Sequence, residues 1–205
     1  MSRQQKEMAG DYEVIQSLRL GGKVLLIGYN PDDKDGKYMT CYKESNFMGE
    51  LFTKAMASDD YMEIVKLFSE RLQKQMEKVE KFRTGRGVPL ETLGAEHCRK
   101  RGEGENLAGK LIILRPSSLS PEYRTADCQL GYATGGFGCT PNAGGRAVYF
   151  RELYSGEECR WNIGDVLGIA DTEKLPEWAK QKVAEHEKAR AEKKRNEVNQ
   201  DERAC

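Results

Sequence analysis

Residues 131–150 read Gly131-Tyr132-Ala133-Thr134-Gly135-Gly136-Phe137-Gly138-Cys139-Thr140-Pro141-Asn142-Ala143-Gly144-Gly145-Arg146-Ala147-Val148-Tyr149-Phe150. A phosphate-cradling glycine loop gathers backbone N–H groups at a helix N-terminus, spaced G-x-G-x-x-G or G-x-x-x-x-G-K-[ST]. Neither spacing occurs, and the glycines run into Ala147-Val148-Tyr149-Phe150, which reads as a strand. The stretch is therefore a long hairpin loop with bends suited to glycine, set between two strands, where it can also meet a partner.

Working outward, short strands separated by turns surround this loop. Lys110-Leu111-Ile112-Ile113-Leu114-Arg115 reads as a buried strand closed by Pro116, and 130–133, 146–152, 159–162 and 166–170 add others. That is the pattern of a small curved sheet or partly open barrel. Pro176 opens a last helix that Trp178, Ala179 and Val183 can dock. From residue 185 the chain alternates Glu, Lys, Arg and Ala, a solvated helix or a disordered tail.

Towards the N-terminus, Thr84-Gly85-Arg86-Gly87-Val88-Pro89 reads as a linker. Before it, residues 12–42 predict a three-stranded antiparallel meander, with Gly21-Gly22 as a tight hairpin turn. Asn30 to Gly36 forms a solvated turn, since its carboxylates lack the spacing of a calcium loop. Phe47, Met48, Leu51, Phe52, Ala55 and Met56 recur at helical spacing. Asp60 and Glu63 then cap a second helix, whose stripe is Tyr61, Ile64, Val65, Phe68, Leu72, Met76, Val79 and Phe82. That stripe packs on the small sheet or forms a homodimeric seam along the Tyr61 to Phe82 helix.

The fold class expected is α+β. It comprises a sheet-plus-helices module at 1–84, a glycine-rich β module with a C-terminal helix at 85–184, and a charged tail at 185–205. A chain of 205 residues with 38% hydrophobic and 32% charged content accommodates two small domains. No apolar run is long enough for a membrane span or signal peptide, so a cytoplasmic protein is expected, its six cysteines kept as thiols.

The 33 basic residues balance 33 acidic ones, so any contact with nucleic acid must come from a local patch. One is visible: from 110 to 151 the basic residues are Lys110, Arg115, Arg124, Arg146 and Arg151 against Glu122 and Asp127. Basic and aromatic side chains interleave there, as in surfaces that touch phosphates while stacking bases. Arg124, Tyr132, Phe137, Arg146, Tyr149, Arg151, Arg160 and Trp161 are the candidate binding residues. Strand alternation divides them between two faces.

Catalytic chemistry has little to draw on. The histidines are His97 and His186. An imidazole–thiolate pair would require a distant cysteine such as Cys139 to meet His97, with no third orienting group evident. No C-x-x-C or H-x-x-x-H clip offers a metal site, and no cofactor is expected.

The string Leu114-Arg115-Pro116, Pro121-Glu122-Tyr123, Gly135-Gly136-Phe137-Gly138, Gly144-Gly145-Arg146-Ala147-Val148-Tyr149, Leu153-Tyr154-Ser155-Gly156-Glu157, Arg160-Trp161-Asn162, Asp165-Val166-Leu167-Gly168 and Leu175-Pro176-Glu177-Trp178 resembles an uncharacterised domain. That domain recurs in accessory proteins of integrative conjugative elements and phages of gut clostridia. The resemblance implies mobile-element cargo and, from it, a non-catalytic anti-defence protein of the anti-CRISPR kind. Such a protein would inhibit a host nucleoprotein nuclease, such as guide-RNA-loaded Cas9, by binding it. Zero net charge argues against pure DNA mimicry. The rivals are an accessory factor that binds the element's own DNA or RNA, and an enzyme using His97 and a cysteine.

Overall fold

The computed structural model describes residues 6–46 and 49–204. Over the described residues the chain is α+β, built from antiparallel sheets and three α-helices. It divides into two compact units, Met1–Gly87 and Val88–Cys205.

The first unit is a five-stranded meander in the order β1 (Met8–Ala9), β2 (Tyr12–Leu20), β3 (Lys23–Tyr29), β4 (Tyr38–Asn46) and β5 (Gly49–Ser58), followed by α1 (Tyr61–Arg86). Leu20 pairs with Lys23, so Gly21 and Gly22 alone make the turn, with φ of 60° and 74°. Both dihedrals positive is what a two-residue hairpin turn demands. Asp60 caps α1 by accepting from the Met62 N–H at 2.8 Å. Gly87 ends it in the left-handed conformation, its N–H reaching the Thr84 carbonyl.

The helix expected over 47–56 is a strand instead: β5 pairs with β4 from Asn46↔Gly49 to Tyr38↔Ser58. Phe47 and Met48 lie outside the described residues. The false helical spacing has a physical origin. The register shifts between Thr40↔Met56 and Tyr42↔Thr53, so Lys54 and Ala55 stand opposite Cys41 alone, and Lys54 takes a φ of 55°. A bulge of this kind breaks the two-residue alternation by which a strand is recognised.

The stripe of α1 also packs differently from its apolar reading. Ile64 and Val79 are buried on the sheet, but Arg71 and Gln75 share that buried face, while Tyr61, Met76 and Phe82 stay exposed. Arg71 donates to the Thr40 carbonyl at 2.9 Å and the Lys54 carbonyl at 2.7 Å, and lies over the Tyr42 ring. One guanidinium thus satisfies a carbonyl on each of the two strands at the bulge, which explains a buried cation beneath a sheet.

The second unit is a six-stranded antiparallel sheet in the order β10 (Glu158–Asn162), β9 (Ala147–Glu152), β8 (Leu130–Gly135), β7 (Leu111–Leu114), β11 (Val166–Ala170) and β6 (Cys98–Arg99). Both faces of β7 are buried, which its unbroken apolar run requires. Ile112 and Leu114 join Ala133, Val148, Phe150, Val166 and Ile169 in one core, closed by Leu107, Leu119 and Cys139 from the loops and by Cys128 from the short helix over Ala126–Gln129. On the opposite face Leu111, Ile113 and Leu130 meet Ala179 and Val183 of α3 (Glu177–Ala204). The short α2 (Ala126–Gln129) places Gln129 at the centre of the unit, with none of its surface exposed. Its amide donates to the Leu93 and Leu114 carbonyls and accepts from the Leu93 N–H. α3 crosses residue 185 without interruption.

Candidate nucleic-acid interface

The site rests on the glycine loop that begins after β8. Gly136 has a φ of 101°, and a Cβ there would stand 2.4 Å from the Ala147 carbonyl oxygen and 3.0 Å from the Tyr149 ring. The loop closes back on β9, the Gly138 N–H donating to the Ala147 carbonyl at 2.8 Å. Arg101 clamps it from outside, donating to the Gly138 and Cys139 carbonyls at 3.2 and 2.8 Å. The loop is therefore a fixed shoulder beside Tyr149, not a phosphate cradle, and its Phe137 is 70% exposed.

Cross-strand register then assembles the face. Tyr132 of β8 stands opposite Arg151 of β9, and Arg151 opposite Glu158 of β10; one step along, Tyr149 stands opposite Arg160. Directly opposed residues share a face, so Tyr132, Tyr149, Arg151 and Arg160 form one patch. Tyr149, Arg151 and Arg160 are exposed, whereas Tyr132 is half-buried where α3 begins to cover the sheet. Arg151 pairs with Glu158 at 3.0 Å, but both are more than half exposed, so this ion pair restrains Arg151 only weakly.

The other candidates do not join them. Trp161 and Cys159 alternate to the opposite side and pack against the core with Val148 and Phe150. Arg146 precedes β9 in the alternation of Val148 and Phe150. Arg124 ends a 3₁₀ turn and donates to the Leu119 carbonyl at 3.0 Å.

Two residues that sequence reasoning missed complete the site. The His186 ring stacks on Tyr132 with centroids 3.9 Å apart and planes at 15°, and Arg190 follows one turn later. Together with Gly109, Ala133, Thr134, Arg151 and Ala189 they line a hollow of about 450 Å³. A second hollow, about 430 Å³, is lined by Thr134, Gly135, Tyr149, Glu158, Cys159 and Arg160. Burial, then the neighbouring Arg190 and Arg151, push the His186 pKa below its ordinary value, so the ring is neutral at pH 7. The missed signal was periodic: Ala179, Val183, His186 and Arg190 continue a single helical stripe after it ceases to be apolar.

His97 and Cys139 occupy separate surroundings. The His97 Nδ1 accepts from the Gly94 N–H at 3.0 Å, while the buried Cys139 thiol donates to the Gly135 carbonyl. Burial pushes the Cys98, Cys139 and Cys159 thiols up, the direction opposite to nucleophile activation. Among the described residues no group of three His, Cys, Asp or Glu side chains is placed to hold a metal ion. Among the same residues no helix is long and apolar enough to cross a membrane. No family model matches the chain, and neither a curated protein nor a solved structure matches it.

Proposed function

We propose that this chain is a non-catalytic binding protein that engages a nucleoprotein, with the β8–β9–β10 face laid against a nucleic-acid strand. The supporting observation is the co-facial set of Tyr132, Tyr149, Arg151 and Arg160, produced by strand register from residues scattered over about thirty positions of sequence. The exposed Tyr149 ring can stack a base of any identity while the Arg151 and Arg160 guanidiniums take phosphates, so such a face binds strands with little sequence preference. Zero net charge suits a protein that meets nucleic acid inside a larger complex better than one that coats bare DNA.

The resemblance of the Leu114 to Trp178 motif string to accessory proteins of mobile elements favours, as partner, a host defence nuclease of the guide-RNA-loaded Cas9 type, held inactive by an anti-defence protein in the cytoplasm. The test is capture of guide-loaded Cas9 by the immobilised chain. Wild type retains the nuclease, and the double substitution Tyr149→Ala/Arg160→Ala releases it. Binding of naked single-stranded DNA at moderate salt, with no capture of the nuclease, would replace this reading by that of an accessory factor for the element's own nucleic acid. Pairing of two copies along α1, through the exposed Tyr61, Met62, Met76 and Phe82, belongs to the same proposal and is read from the mass of the complex by light scattering.

A further inference from the structure

The hollow between α3 and the sheet has a composition that strand stacking does not explain. Arg151 lines it from β9 and Arg190 from α3, together with the His186 ring stacked on Tyr132. Arg190 lies over Gly109, its Nη2 4.0 Å from where a Cβ of that residue would stand, an ordinary contact distance. The His186 Nδ1 is buried and has no hydrogen-bond partner. The charged groups acting on the imidazole are Arg190, Arg151 and Glu187; Glu158 faces Arg151 from β10.

Two guanidinium forks and an imidazole lining one hollow match an anion with several terminal oxygens better than they match one another. A terminal phosphate carries a second negative charge that a phosphodiester within a strand lacks. The adjoining hollow shares Thr134 with this one and offers the exposed Tyr149 ring beside Arg160. Each hollow falls within the size range of small-ligand sites, roughly 300 to 1,000 Å³.

We propose that the α3 hollow is a phosphomonoester site, taking the terminal phosphate of one nucleotide between Arg151 and Arg190 while its base lies on Tyr149. The inference rests on the nucleic-acid reading of the same face and narrows it to a strand end or a free nucleoside monophosphate.

The test is fluorescence anisotropy of the full chain with a short single-stranded DNA carrying either a 5′-phosphate or a 5′-hydroxyl, at moderate salt, with adenosine monophosphate as competitor. The phosphorylated strand is expected to bind roughly tenfold more tightly, and Arg190→Ala, at an exposed position, to abolish that preference. Competition by adenosine monophosphate assigns the site to free nucleotides as well; its absence assigns the site to strand ends. Equal binding of the two strands, binding of neither, or an undiminished preference in the Arg190→Ala chain overturns the phosphate site. Capture of the loaded nuclease is a separate readout, so the broader reading stands or falls independently.

Discussion

The His186 ring lies flat on Tyr132, 3.9 Å between centroids, and so fixes α3 to the sheet one turn beyond its last buried apolar residue, Val183. It turns a charged helix into the wall of a groove.

The stack carries a pH signature. The His186 pKa is lowered in the folded chain, so below its ordinary value of 6.5 the unfolded chain takes up a proton that the folded one resists. Stability from this group is present at neutral pH and is lost as pH falls. The melting temperature of the His186→Phe chain, which keeps the ring contact, is expected to fall less than that of wild type between pH 7 and 5. Parallel curves would contradict the assignment.

Arg71 is expected to be the costliest single position in the first unit. Arg71→Leu leaves the Thr40 and Lys54 carbonyls without their donor, a loss of about 3 kcal/mol. Urea unfolding measures it, and a loss under 1 kcal/mol would mean that water replaces the guanidinium freely.

Gln129 plays the corresponding part in the second unit. Gln129→Leu preserves volume but strands three buried backbone groups, and a cost of about 2 to 3 kcal/mol is expected in the same assay. Indifference to this change would show that the segment around Leu93 is held by packing alone.

Gly136 links the fold to the site. Gly136→Ala meets both a strained φ and the Ala147 carbonyl, whereas Gly144→Ala meets open space. The first is expected to cost about 2 kcal/mol and to weaken strand binding through displacement of Tyr149, and the second to do neither. Equal behaviour of the two variants in melting and binding assays would refute the shoulder role of the loop.

Much of this architecture was legible in sequence because strands and turns announce themselves locally. The apolar run of β7, the strands around the glycine loop and the Gly21-Gly22 turn all follow from period and turn chemistry. The strand over 49–58 was not legible, since the bulge at Lys54 and Ala55 breaks its alternation and the Arg71 guanidinium that meets the Lys54 carbonyl comes from a helix distant in sequence. Half of the candidate site was legible for a similar reason. Alternation groups Tyr149 with Arg151, but only register brings Tyr132 and Arg160 beside them and turns Trp161 to the core. His186 and Arg190 were hidden because the docking stripe of α3 continues beyond Val183 in polar side chains, where hydrophobic periodicity no longer marks it.

The central claim is that the β8–β9–β10 face, walled by α3, is the surface that meets the nucleoprotein. Amide hydrogen exchange of the chain, alone and on guide-loaded Cas9, locates that surface directly. Added protection is expected across residues 147–162 and around His186 to Arg190; protection confined to α1, or no complex at all, would contradict the account.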